Sequence, residues 1–239
     1  MTATIHTLPN GTPPGRALPV SEVFGPVWQG EGPHAGMRCS FLRLGLCNLA
    51  CEWCDTPYTW DRSRFDVDAE CPPMAAADIL AALAAHNTQM LVLTGGEPLI
   101  HATNSTLSDV LWNFAGDVDV ETNGTQPPPA WKHRVSLFAV SPKLWTGGPL
   151  GKRFKPMLLN TWAEQPNAYF KIVCQTPEQV AEVATHSWAW PEKTWIMPEG
   201  RSAAEVLASA SRIEAAVAEH GFHFTLRMHT LMHGDERGF

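Results

Sequence analysis

Three cysteines, Cys47, Cys51 and Cys54, fall within one short stretch with the spacing C-x3-C-x2-C. The segment before them, Cys39-Ser-Phe-Leu-Arg-Leu-Gly, reads as a strand ending in glycine, and Asp55-Thr-Pro-Tyr after them reads as loop. The cysteines therefore sit on a loop leaving the C-terminal end of a strand, where open α/β sheets and barrels keep their chemistry. Three thiolates on a loop suit a soft metal centre. A 4Fe-4S cluster held by only three cysteines has one iron with no protein ligand, and that iron can bind a small molecule directly. A second reading stays open: with Cys39 as a fourth ligand, the triplet would form a closed structural zinc site.

The rest of the composition narrows the setting. The 239 residues carry six cysteines, three of them clustered, which is wrong for a disulfide framework and points to metal or catalytic use in a reducing, cytoplasmic compartment. A formal charge of -7 argues against general binding to nucleic acid or to a membrane surface. The N-terminus lacks the pattern of a signal peptide. No apolar run reaches the ~18 residues of a transmembrane helix. Residues 1–19, rich in Thr, Pro and Gly, are expected to form a mobile tail, and residues 20–239 a single core domain.

Along the chain, strands alternate with helices. Ser21 to Trp28 reads as a short strand, followed by the loop Gln29-Gly30-Glu31-Gly32. Its glycines would permit close approach of a planar ligand, with Gln29 and Glu31 as hydrogen-bonding groups; an ordinary solvated turn is the bland reading. In the strand Arg38 to Leu46, Phe41, Arg43 and Gly45 share one face. Arg43 can pair with a structural carboxylate or clamp a substrate carboxylate. The apolar strand Gln89 to Leu93 runs into Thr94-Gly-Gly-Glu-Pro98, where Glu97 can accept from an ammonium group. Further strands are expected over Asp117–Gly124, Val135–Val140, Ala168–Cys174, Thr194–Met197 and Phe222–His229. Helices are expected over Met74–His86, Thr106–Phe114, Leu158–Glu164, Pro177–Thr185 and Ser202–His220. Thr176 and Ser202 stand as N-caps, and Gly221 closes the last helix. Polar loops follow strand after strand, so the sheet is parallel. About six strands are too few for a closed eight-stranded barrel. The expected fold is α/β: a partial, open (βα)6-type barrel, with a degenerate crossover between Ser141 and Ala168.

Taken together, C-x3-C-x2-C after one strand and T-G-G-E-P after the next resemble the radical S-adenosylmethionine superfamily. V-F-G-P-V-W-Q-G-E-G, F-L-R-L-G-L-C-N-L-A-C-E-W-C-D-T, V-E-T-N-G and S-P-K narrow the resemblance to the 7-carboxy-7-deazaguanine synthases. It covers roughly Glu22 to the C-terminus. Such enzymes convert 6-carboxytetrahydropterin to 7-carboxy-7-deazaguanine with loss of ammonia, on the way to queuosine and other 7-deazapurines. They use a 4Fe-4S cluster, S-adenosylmethionine and Mg2+.

The resemblance implies that Cys47, Cys51 and Cys54 ligate the cluster and that Thr56 ligates Mg2+. It implies a cofactor pocket lined by Trp53, Cys54, Asp55, Gly96, Glu97, Asn123, Ser141, Pro142 and Lys143. Substrate contacts would come from Trp28, Gln29, Gly30, Glu31, Arg43, Thr94 and Phe239, and His229 matches a histidine of the family. Where the family usually has Gln-Pro-Met, this chain reads Trp195-Ile-Met-Pro-Glu-Gly. A flavodoxin- or ferredoxin-type reductant and a homodimer are expected partners, with no nucleic acid and no membrane. Two other classes share the cysteine triplet: an activase that places a radical on a partner protein, and a non-enzymatic iron-sulfur electron carrier. The Gln29–Gly32 loop and Arg43 favour a small carboxylated heterocycle over the first, and the Gly95-Gly96-Glu97 shelf disfavours the second.

Overall fold

The structure, a computed structural model, describes residues 17–238. Nine strands form one sheet in the order β3-β1-β2-β4-β5-β6-β7-β8-β9. They are β1 (Leu18–Trp28), β2 (Arg38–Leu44), β3 (Pro73–Met74), β4 (Met90–Gly95), β5 (Asp117–Thr122), β6 (Leu137–Val140), β7 (Ala168–Cys174), β8 (Thr194–Pro198) and β9 (His223–Phe224). From β2 through β9 every neighbouring pair is parallel, while β1 runs antiparallel to β2 and β3 to β1. The sheet is open, with β3 and β9 at its edges. The six parallel strands β2 and β4 to β8 are the partial barrel expected from the sequence; β9 adds a two-residue seventh.

The helices are α1 (Val67–Glu70), α2 (Ala76–His86), α3 (Ser105–Asn113), α4 (Leu150–Arg153), α5 (Pro156–Ala163), α6 (Pro177–Ala184), α7 (Ala203–Glu219) and α8 (Met228–His233). Several of their starts follow local chemistry. Asn104 accepts from Thr106 N and Leu107 N, Thr176 from Gln179 N, and Ser202 from Glu205 N, each satisfying backbone donors that the first helical turn leaves unpaired. Between β6 and β7 the crossover is made of the short α4 and α5, consistent with the weak helical signal there. Among the described residues no helix is long and apolar enough to cross a membrane.

Strand alternation divides the sheet into two faces. Leu42, Leu44, Leu91, Leu93, Val118, Val120, Phe138, Val140, Phe170, Ile172 and Ile196 form the main core with α2, α3 and α7. Each such side chain contributes about 1.5–3 kcal/mol on burial. The intervening positions face a cavity lined by Phe41, Arg43, Thr94, Glu121, Lys171, Val173 and Met197. A second apolar cluster of Phe24, Cys39, Phe41, Met90 and Val92 lies on that inner face. The loop between β1 and β2 reaches the far edge of the sheet: Gly32 N donates to Thr225 Oγ1 at 2.8 Å, and Met228 N donates to Gly30 O at 2.9 Å.

Several boundaries differ from those read in the sequence: Met74, read as the start of a helix, lies in β3 and α2 begins at Ala76, β5 ends at Thr122, β6 begins at Leu137, and α5 spans Pro156–Ala163. Two of the differences have a clear physical reason. The ordered strand starts at Leu18, not after residue 19. Leu18 is fully buried and pairs with Met74, so an apolar side chain near a Pro-rich segment is core rather than tail. Residues 1–16 lie outside the described residues. The last strand pairs only over His223 and Phe224, and Met228 opens α8 instead of continuing it. The alternation of Phe222 to Leu226 suits a strand, but Arg227 is drawn into ion pairs and Met228 into a bond with the β1–β2 loop.

Candidate active site

The cysteine loop leaves β2 through Leu46, whose φ of 71° lies in the left-handed region. That conformation costs about 1–2 kcal/mol for a residue with a Cβ. It is held by Leu46 N donating to Thr59 O at 2.8 Å and by Glu97 N donating to Leu46 O at 2.9 Å. The exit of β4 packs directly on this turn. A Cβ on Gly95 would stand 2.2 Å from Leu44 O, and one on Gly96 2.1 Å from Leu46 O. The two glycines thus seat β4 against the base of the cysteine loop, as well as facing the cavity.

Cys47, Cys51 and Cys54 all line that cavity. Leu49 N donates to Cys47 Sγ at 3.4 Å, and Trp60 Nε1 to Cys54 Sγ at 3.3 Å. Burial pushes the Cys47 thiol up to about 12 and raises Cys51 against the opposing charge of Lys143, so metal loading must displace protons. Among the described residues no three His, Cys, Asp or Glu side chains converge tightly enough for a single metal ion. A cubane, whose irons stand at separate corners, asks for sulfurs spaced apart. The donor set fits such a cluster: three thiols on one loop, N–H groups aimed at two of the sulfurs, and the Lys143 cation beside the third. Cys39 does not join them. It is fully buried on β2 with Phe24 and Met90, and burial raises its thiol to about 12.

Of the residues expected around the cofactor, Trp53, Cys54, Asp55, Gly96, Asn123, Ser141 and Lys143 line the cavity, with Lys143 Nζ donating to Ser141 Oγ at 3.0 Å. Pro142 and Glu97 are not in its wall. Glu97 is fully buried and accepts from Leu99 N, Thr122 Oγ1 and Asn123 N at 2.9, 2.8 and 2.6 Å. Its carboxylate therefore pins the β4 and β5 exits together instead of meeting an ammonium group. Thr56 lines the cavity with Oγ1 3.7 Å from Cys54 Sγ.

Of the expected substrate contacts, Trp28, Gln29, Glu31, Arg43 and Thr94 line the cavity. Gly30 is not in its wall: a Cβ there would lie 2.3 Å from His229 Nδ1, so this glycine admits a histidine of the chain itself. Gly32 likewise admits the Tyr169 hydroxyl. The two glycines serve packing between chain segments rather than approach of a planar ligand. Phe239 lies outside the described residues.

Glu31 is the centre of the polar network. Its carboxylate takes Lys171 Nζ, Arg227 Nε at 3.3 Å and His229 Nε2 at 3.8 Å. Burial alone would raise its pKa, but the fields of Lys171, Arg227 and His229 win and hold it well below the usual carboxylate range. Lys171 also reaches Glu121 Oε1 at 3.4 Å, and Glu121 Oε2 accepts from Thr94 Oγ1 at 2.8 Å. Arg227 Nη2 meets Asp55 at 2.6 Å, joining this network to the cysteine loop. Arg43 has the structural carboxylate partner of its first reading, with Nε donating to Glu22 at 2.7 Å, and the residue also lines the cavity.

Sequence reasoning passed over Glu22, Glu121, Lys171 and Arg227. A signal was present for two of them. Lys171 sits on the inner register of the apolar strand Ala168–Cys174, as Arg43 does in β2, and Glu121 alternates with Val118 and Val120 in β5. Arg227 is joined to its partners only by the fold.

A family model described as a 4Fe-4S single cluster domain matches residues 29–122. The chain is 36% identical to the 7-carboxy-7-deazaguanine synthase of Pyrobaculum aerophilum, covering 96% of this chain and 99% of the relative. It is 31% identical to that of Halobacterium salinarum over 92% of both. Among solved structures, QueE from Escherichia coli matches the fold with a TM-score of 0.64 at 22% identity, over 89% of this chain and 95% of that one. The tight cysteine loop, the open parallel sheet and end-to-end similarity to these synthases agree: the chain belongs to the 7-carboxy-7-deazaguanine synthase family, enzymes of the radical S-adenosylmethionine type.

Proposed function

We propose that the chain converts 6-carboxytetrahydropterin to 7-carboxy-7-deazaguanine with release of ammonia. The observation that carries this reading is a single cavity facing both an open three-thiol loop and a set of opposed charges, Arg43, Lys171, Glu31 and Glu121. Cys47, Cys51 and Cys54 would hold the 4Fe-4S cluster. Gly96, Asn123, Ser141 and Lys143 would hold S-adenosylmethionine, the Lys143 cation suiting a carboxylate. When bound, these groups supply the one-electron cleavage that starts a radical rearrangement of the substrate.

The protein's own part is recognition, orientation and exclusion of water. Arg43 presents its terminal amines to the substrate carboxylate, because its Nε edge is already held by Glu22. Glu31, kept ionised by Lys171 and Arg227, is an acceptor for the amide and amino edge of the pterin, with Glu121 beside it. Trp28, half exposed at the rim, offers a ring to stack on the heterocycle. The β1–β2 loop and α8 are joined through Gly30 and Met228, and Gln29, Glu31 and His229 from them line the cavity.

The reading extends to Mg2+ on Thr56, whose hydroxyl oxygen lies 3.7 Å from Cys54 Sγ, with the remaining positions left to substrate, cofactor and water. It also extends to a flavodoxin- or ferredoxin-type electron donor, a homodimer and a cytoplasmic setting. Six unpaired cysteines support a reducing compartment, and exposed Trp112, Leu207 and Met232 are apolar surface available to a second copy. Anaerobically reconstituted protein given reductant, S-adenosylmethionine and 6-carboxytetrahydropterin is expected to release the deazaguanine product. Deoxyadenosine formed without that product would assign the chain a different substrate.

A further inference from the structure

We propose that Arg237 is a positioning residue for the substrate: from the C-terminal segment it shares Glu22 with Arg43 and so sets the orientation of the Arg43 guanidinium. This rests on the reading that Arg43 holds the substrate carboxylate. Glu22 lies on β1 with its side chain nine-tenths buried, and donors from three other segments converge on it. Its Oε2 accepts from Arg43 Nε at 2.7 Å and from the Tyr58 hydroxyl at 3.2 Å. Its Oε1 accepts from Arg237 Nε at 3.1 Å. Arg237 is fixed in turn by Glu70, 3.1 Å from Nη2, and by stacking of its guanidinium 3.6 Å from the Tyr58 ring centroid.

Arg237 adds no free charge, because Glu70 pairs with it: Glu22 and Glu70 against Arg43 and Arg237 make a neutral set. What Arg237 sets is the direction of the Glu22 carboxylate: it holds Oε1, which leaves Oε2 to Arg43 Nε. Glu22 engages only the Nε of Arg43, and among the described residues no hydrogen bond occupies its terminal amines, the pair that binds a planar carboxylate in two-point fashion. Arg237 thereby joins the substrate site without lining the cavity itself.

The test is steady-state turnover of the reconstituted holoenzyme, with iron content and S-adenosylmethionine affinity measured alongside. For Arg237→Ala, KM for the pterin is expected to rise about tenfold while kcat changes less than about twofold. Arg237→Lys keeps a cation beside Glu22 and is expected to recover part of that loss. An unmoved KM in Arg237→Ala overturns the proposal. So does a parallel loss of iron or of cofactor affinity, which would make Arg237 a structural tie. Arg43→Ala separates the two levels. If it leaves KM unchanged, Arg43 is not the substrate's anchor; if it raises KM and Arg237→Ala does not, only the clasp fails.

Discussion

Replacing Lys171 with methionine probes the network at its most heavily committed point. Lys171 and Glu31 are both more than nine-tenths buried, and Lys171 serves two carboxylates, Glu31 and Glu121. Methionine fills similar space without the charge. Glu31 keeps Arg227 and His229, while Glu121 keeps Thr94 alone among its bonded partners. Removing one partner of a buried ion pair costs about 3–5 kcal/mol, and the surviving Arg227 contact places the expected loss near the lower end, about 3 kcal/mol.

The pH dependence of that loss follows from the directions of the shifts. In the parent, the pKa of Glu31 is depressed, so its stabilisation is present above the ordinary carboxylate pKa and is lost as pH falls through the folded value. The pKa of Lys171 is raised by Glu121 and Glu31 against the opposing effect of burial, so its contribution persists up to and beyond the ordinary lysine range. In Lys171→Met the penalty falls on the ionised carboxylates, and protonation relieves it. Urea unfolding of the cluster-free protein should therefore show a larger loss at about pH 8 than at about pH 5. A loss below about 1 kcal/mol, or one that grows on acidification, would refute the reasoning.

Two further substitutions test individual roles. Thr56→Ala removes the hydroxyl oxygen beside Cys54 and should raise the Mg2+ concentration needed for half-maximal turnover while iron content is unchanged; an unaltered metal requirement would remove Thr56 from the metal site. Cys39→Ala deletes a buried thiol packed with Phe24 and Met90, so it should lower stability by about 1 kcal/mol and leave iron content at the parent level. Iron lost in Cys39→Ala would bring back a four-cysteine site.

What could be read from the sequence was local. The cysteine triplet, the Gly95-Gly96 exit of β4 and the helix caps at Thr176 and Ser202 each announce themselves within a few residues, and the structure keeps them. The strand count followed from repeated apolar runs ending in polar loops. Roles that depend on distant neighbours were hidden. Glu97 looked like a cofactor contact and turns out to tie two loops, because Thr122 and Asn123 arrive from β5. Gly30 looked open to a ligand, yet His229 fills the space beside it. Glu22 and Arg237, 215 residues apart, carry no mutual signal in the chain. The final strand failed where ion pairing overrode alternation: Arg227 turns to Glu31 and Asp55, and the chain enters α8.

Spectroscopy of the reduced cluster reaches the central assignment most directly. Protein reconstituted without oxygen and reduced should contain about four irons, in line with a cubane on Cys47, Cys51 and Cys54. Its electron paramagnetic resonance spectrum should change when S-adenosylmethionine is added, since one iron is free to bind it. A spectrum indifferent to the cofactor, or zinc in place of iron on the three thiols, would contradict that assignment.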